Sequence, residues 1–406
     1  MINILRKPLT IVYPLVLSTV FFLEKPGDAY ILGEFGVHLK LSDDSKIFAL
    51  AVSISFLMVA LNRNEWSPKR ALLLLSSILT ISAMFISYDL FNIYLLMEVL
   101  SVQAGLMAID RKDKKVFWNT LKYLIVGSIG ANLYLIGVIM VYQKTGSFSI
   151  PNELEKLPMA FIVTGMLMRA GVFGLGTWLL SFHSSVDDEL SALFSGAFIG
   201  GIVFPIHRIL GNPPQLAIIF QLLALLGSLL VFTSGKYKRI LASSTMAHLG
   251  AMMSTHDPSL YFFNHAVAKT FLFLKSNDFK RGKISKPDFI LTILSIASLA
   301  GFPFTLGAIA ESQSHSTLVM LSSIISSAGI FSVVSRVKIF KGRFRVLSFF
   351  PVVLIYPFLS LKTFLSLFSI LGMVFKIEKE KRLFFEKLEW NVTFGLIFLA
   401  GVILFF

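Results

Sequence analysis

Two carboxylates, an arginine, a lysine and two histidines stand inside otherwise apolar stretches: Glu98, Glu311, Arg169, Lys269, His248 and His265. Glu98 lies in "YDLFNIYLLMEVLSVQ", whose other acid, Asp89, sits at the edge as a capping or interfacial group. Arg169 is the only charged residue between Ala160 and Phe182, and Glu311 is the only one between Phe289 and Ser335. Lys269 follows His265 by one helical turn, which gives the two a common face. Desolvation favours the neutral form of an acid or an amine, so buried groups of these kinds can be loaded or unloaded by small changes in field. A row of them bridged by water and imidazole is a proton wire. The competing reading is structural. Glu98 then pairs permanently with a cation such as Arg169, and His248, like His207, is a satisfied packing residue.

The elements that must position these groups are membrane helices. The 406 residues are 55% hydrophobic and 15% charged, and the mean hydropathy is +0.77. Apolar runs predict an all-α integral membrane protein of about 13–14 transmembrane helices. Their approximate spans are 9–23, 46–61, 69–87, 90–108, 116–142, 159–182, 189–210, 215–233, 239–254, 259–275, 289–313, 316–335, 347–373 and 391–406. The run 9–23 follows Arg6 and Lys7 but lacks a small-residue cleavage pattern, so it counts as the first span. The net charge of +14 collects in alternate loops. That pattern signals orientation in the cell's inner membrane, basic loops and N-terminus on the cytoplasmic side, rather than nucleic-acid binding. The charged, helix-prone segment Lys376–Lys387 reads as an amphipathic surface helix. Its side of the membrane depends on whether 347–373 is one helix or two.

There is no cysteine, which excludes disulfides, thiolate nucleophiles and cysteine-held iron–sulfur clusters. No glycine-rich phosphate loop or zinc spacing occurs, so no cofactor or metal is expected, and any electron transfer belongs to a partner. Two helices are interrupted, one at "AGVFGLGTW" (Gly171, Gly174, Gly176) and one at "AGFPFTLG" (Gly301, Pro303, Gly307). Paired interruptions in matching positions point to an inverted-repeat transporter with its pathway near the midplane. The plainer alternative is glycine for close helix packing.

The quoted residues resemble a known family. "DLFNIYLLMEVLSV", "LKYLIVGSIGANLYLIGVIMVYQKTGS", "WLLSFHSSVDDELSALFSG", "KRILASSTMAHLG", "FFNHAVAKTFLFL" and "SLAGFPFTLGAIAE" are similar, in order over residues 35–340, to the antiporter-like subunits. These subunits are shared by respiratory complex I, Mrp-type sodium/proton antiporters and membrane-bound hydrogenases. The resemblance implies two inverted five-helix repeats, each with a broken helix, and places the essential glutamate at Glu98. It implies N-terminal helices in 1–68, the repeats in 69–211 and 212–340, and C-terminal helices with the charged interfacial segment in 341–406. Arg169 stands where the family pairs its glutamate with lysine, and arginine cannot pass a proton. Gly200 stands where the next helix brings a central lysine. Lys269, His248 and His265 match, and Glu311 occupies a position that is lysine in many members and glutamate in some.

The chain thus reads as a diverged, shortened antiporter-like subunit of a multisubunit ion-pumping redox complex. Protons or sodium ions would move through its buried charges, and its partners would be other membrane subunits of a complex I-like, Mrp-like or hydrogenase-like assembly. A scaffold subunit that conducts nothing, favoured by Arg169 and Gly200, and a stand-alone antiporter are the alternatives.

Overall fold

The computed structural model of the chain describes residues 2–31, 36–63, 66–110, 112–211, 214–314, 316–342, 346–358, 363, 365–374 and 387–405. It is a helical bundle. The first helices are α1 (Ile2–Leu23), α2 (Asp43–Asn62), α3 (Pro68–Ile86), α4 (Leu90–Ala108) and α5 (Lys114–Thr145). After them come α6 (Lys156–Ala170), α7 (Trp178–Ser185), α8 (Asp188–Leu193) and α9 (Gly200–Leu210). The chain continues through α10 (Pro214–Leu229), α11 (Tyr237–Ser254), α12 (Ser259–Leu274) and α13 (Ser276–Lys280). It then forms α14 (Lys286–Leu299), α15 (Leu306–Ser314), α16 (Thr317–Val334) and α17 (Leu388–Phe405). Among the described residues, seven stretches are long and apolar enough to cross a bilayer. Fewer pass that length test than the sequence predicts, partly because glycine breaks divide some expected spans into halves.

Local chemistry sets these limits. Ser42 and Ser45 form a capping box that starts α2. Ser67 caps α3 with Pro68 in its first turn. Asp89 Oδ1 accepts from Asn92 N at 2.6 Å and starts α4. At the first break, Gly171 and Gly174 take φ of +83° and +77°, in the left-handed region that favours glycine. At the second, Gly301 takes +74°, and Pro303 has no backbone N–H to continue the ladder.

Phe304, at φ +61°, is held in that same region by its neighbours. Its N–H donates to Phe358 O at 2.8 Å, and Tyr356 N donates to Phe304 O at 3.0 Å. The residues from Tyr356 to Phe358 are therefore occupied by the second break. Of the one-helix and two-helix readings of 347–373, this excludes the first: Val346–Leu354 and Ser366–Val374 are separate 3₁₀ stretches. Of the charged segment Lys376–Lys387, all but the last residue lies outside the described residues.

Two small sheets were not predicted. Strands β1 (Gly27–Ile31) and β2 (Val37–Leu41) pair antiparallel, with Tyr30 opposite His38. β3 (Lys283–Ser285) and β4 (Lys338–Phe340) pair in parallel. The alternation in "VHLKL" is a strand signal, but it lies in a short polar interval between apolar runs. His38 stacks on Tyr30 at 4.4 Å and lies 3.0 Å from Asp28 Oδ1.

The segment α8–α9 runs through the middle of the bundle, and nearly all of it is buried. A π-helical turn, Phe194–Phe198, joins its two parts. Such turns rotate the residues that follow and frequently mark functional sites.

Candidate functional site

Glu98 projects from the middle of α4, and Arg169 lies in the last turn of α6, just before the first break. Arg169 Nη1 stands 3.1 Å from Glu98 Oε1. The approach is a charge contact off the hydrogen-bond line, since neither atom makes an aligned bond. Nη2 donates to Met97 O at 2.5 Å. Arg169 is 3% exposed and Glu98 32%, so the cation is the buried partner. Gly127 of α5 makes the room: a Cβ there would lie 2.6 Å from Nη1. Beside the pair is a small apolar cavity whose lining includes Met97, Tyr123, Trp178, Ile199 and Ile202.

The second group is built on α12. Tyr261, His265 and Lys269 recur every four residues and so form one stripe, ~12 Å long at 1.5 Å per residue. Lys269 is fully buried, and its Nζ donates to Leu241 O of α11 at 2.9 Å. His265 Nδ1 is 3.0 Å from His248 Nδ1, so one ring donates and the other accepts. His265 Nε2 faces Ser195 Oγ of the π turn at 3.5 Å, and that hydroxyl meets Thr245 Oγ1 at 2.9 Å. Tyr261 donates to Glu311 Oε1 at 3.1 Å and meets Ser323 Oγ, also at 3.1 Å. Ser323 also donates to Glu311 Oε1. Among the described residues, Oε2 of Glu311 and Nε2 of His248, both buried, have no hydrogen-bond partner.

Asn264, next to His265, fastens the second break. Its Nδ2 donates to Ser298 O at 3.3 Å, and its Oδ1 accepts from Ser298 Oγ at 2.5 Å. Ser298 Oγ in turn accepts from Gly307 N at 3.2 Å. The helix that carries the stripe therefore also fixes the backbone leading to Glu311.

The six sequence-predicted residues thus fall into two groups, which α9 separates. Ile199 and Ile202 border the cavity beside Arg169, while a Cβ on Gly200 would run into the Phe262 ring of α12. Phe262 stacks on Phe48 at 4.5 Å, and Phe48 meets Phe204 and Phe85 edge-on. An aromatic cluster therefore occupies the space around Gly200. His207 sits apart, in the last turn of α9.

Residues 87–336 match the family described as NADH:quinone oxidoreductase/Mrp antiporter, TM. That stretch contains every residue of both groups. The chain belongs to this family. This antiporter-family chain is a multi-pass membrane protein, and it is similar to the NADH-quinone oxidoreductase subunit N of Pelobacter propionicus. The two are 25% identical over 66% of this chain and 68% of that one. A Na(+)/H(+) antiporter subunit of Alkalihalophilus pseudofirmus is 22% identical over 64% of this chain and 62% of its own length. The fold matches a chain of the archaeal membrane-bound sulfane sulfur reductase with a TM-score of 0.76, at 17% identity. That alignment covers 98% of this chain and 96% of the other. A chain of respiratory complex I from Thermus thermophilus matches with a TM-score of 0.68 at 17% identity, covering 98% and 92%.

Sequence reasoning missed the connecting groups of this antiporter fold. Tyr261 could have been found as the residue four before His265. Ser195, Thr245 and Ser323 could not, because hydroxyls are common in these helices and only the fold shows which ones meet.

Proposed function

We propose that the chain is the antiporter-like membrane subunit of a multisubunit ion-pumping redox complex in the cell's inner membrane. Lys269, His265, His248, Tyr261 and Glu311 carry protons, and Glu98–Arg169 is a fixed charge pair that does not. Residues 69–211 and 212–340 are the two repeats, so conduction belongs to the second. One observation carries this reading. Lys269 is buried with a carbonyl as its partner, on the same stripe as an imidazole pair and a tyrosine bonded to a buried carboxylate. A permanent internal ion pair would supply Lys269 with a carboxylate; a proton station does not need one. In the first repeat the partner is a guanidinium, which stays protonated, and the aromatic cluster at Gly200 leaves no room for a bridging cation.

The test is proton pumping by the intact complex during its own redox turnover in vesicles. Lys269→Ala lowers protons per electron by this subunit's whole share, because the station that loads and unloads is gone. Arg169→Lys leaves the ratio near wild type. Unchanged pumping in Lys269→Ala, with the complex assembled and electron flow normal, favours a scaffold subunit. Gly200 packed on Phe262 is the observation that supports that second reading. Transport by the purified chain alone in proteoliposomes favours a self-contained antiporter.

A further inference from the structure

His183 is a further buried imidazole that neither group uses. It lies near the end of α7 and is fully buried, and among the described residues neither ring nitrogen has a hydrogen-bond partner. Its ring stacks on Phe273 at 4.7 Å and meets the edge of Phe194 at 6.1 Å. A buried polar group left without partners costs free energy, and such a group in a native structure calls for an explanation in strain, water or function. Packing alone would be served better by phenylalanine, which His183's neighbours Phe182, Phe194 and Phe273 already are.

The position of the ring supplies the explanation. Phe273 lies one helical turn beyond Lys269 on the same face of α12, so His183 stands beside the continuation of the Tyr261–His265–Lys269 stripe. Leu241, whose carbonyl holds Lys269, lies about one turn inside Lys238 on α11. Lys238 Nζ donates to Val186 O at 2.5 Å and pairs with Asp188 Oδ1 at 3.1 Å. Val186 and Asp188 follow His183 by three and five residues, and Ser191 of the same turn donates to His183 O at 3.3 Å. Outside them the turn is charged: Asp187 pairs with Arg70, and Glu189 lies 3.4 Å from Arg63. Burial is graded along this line. Asp188 is 26% exposed and Lys238 18%, while His183 and Lys269 are closed to solvent.

We propose that His183 is a proton relay joining Lys269 to the membrane face that carries Lys238 and Asp188. A proton passed inward from the Asp188–Lys238 pair binds the unprotonated ring nitrogen of His183. The proton on the other nitrogen leaves for the unloaded amine of Lys269. The imidazole ends neutral in its other tautomer, and one positive charge has moved inward. Water spans the gaps at either side of the ring. This inference rests on the reading of Lys269 as a proton station.

The experiment compares His183→Gln, Asp188→Asn and Lys269→Ala in the assembled complex, reconstituted in vesicles and driven by its own redox reaction. Internal pH and electron flow are read together. Glutamine keeps polarity and approximate size but cannot pass a proton. His183→Gln lowers protons per electron as far as Lys269→Ala does, by the loss of this subunit's share. His183→Gly behaves likewise and recovers with added imidazole, which a purely structural role would not do. Loss of pumping in Lys269→Ala with wild-type pumping in His183→Gln overturns the relay and leaves the proposed function standing. Wild-type pumping in both overturns both. If His183→Gln does not assemble, Asp188→Asn decides: reduced pumping supports the path and unchanged pumping overturns it.

Discussion

Removing both members of the Glu98–Arg169 pair should cost less than the sum of removing each. In Glu98→Gln the guanidinium stays charged, 3% exposed, and keeps Met97 O as an acceptor. Stripping a fully buried ion of its partner costs roughly 3–5 kcal/mol. Glu98 is about one-third exposed, so screening and water weaken the pair and bring the cost below that range, to roughly 2–3 kcal/mol for Glu98→Gln. Arg169→Met leaves a carboxylate that can turn toward its exposed side, so roughly 1–2 kcal/mol is expected. The double variant Glu98→Gln/Arg169→Met buries no unpaired charge and fills similar volume, so it should fall well short of the sum. The assay is a double-mutant cycle on thermal unfolding of the purified complex, with an interaction energy of at least about 1 kcal/mol expected. Additive single costs, within about 0.5 kcal/mol, would refute the claim that the two charges depend on each other.

Other positions give sharper local tests. Gly200→Ala should lower stability, because its Cβ runs into the Phe262 ring; adding Phe262→Ala should restore much of the loss, as read by the same melting experiment. Asn264→Ala removes the side chain that bonds both Ser298 O and Ser298 Oγ. It should cost roughly 1–3 kcal/mol and reduce pumping through Glu311, read as protons per electron. Asp89→Ala removes the acceptor for Asn92 N and should cost about 1 kcal/mol with pumping unchanged; a pumping defect would give Asp89 a role beyond capping.

The hydropathy pattern made the membrane class legible, because long apolar runs leave few alternatives. Both breaks were legible too, since Gly171, Gly174, Gly301 and Pro303 each disturb a helix by known backbone chemistry. The hairpin at Val37–Leu41 was hidden by its shortness among much stronger helical runs. The 3₁₀ stretches of Val346–Leu354 and Ser366–Val374 look helical in composition; only the pairing of Tyr356 and Phe358 with Phe304 shows why a continuous helix does not form there. Within the site, charged residues were conspicuous because they were rare. The hydroxyls were not, and the contacts of Ser195, Thr245 and Ser323 depend on which helices meet. His183 was passed over because it lies near a polar turn, where nothing in the sequence says that its ring is buried.

The two halves differ in what balances a buried cation, and that difference bears on how each can act. Arg169 has a carboxylate at 3.1 Å and a carbonyl at 2.5 Å, so its charge is answered at all times and nothing need move. Lys269 has a carbonyl at 2.9 Å, and among the described residues no carboxylate pairs with it. A permanently charged ammonium there would be a buried ion answered only by a dipole, which is the costly case. An amine that gains and loses a proton carries that cost only while loaded. The neighbouring histidine pair, with one ring donating and the other accepting, fits an exchange of this kind, because the hydrogen bond survives reversal of both tautomers. Replacing Lys269 with arginine separates these accounts. If Lys269 only holds Leu241 O, arginine can still donate and pumping persists. If Lys269 must discharge, the complex assembles, electrons flow and proton pumping through this subunit stops.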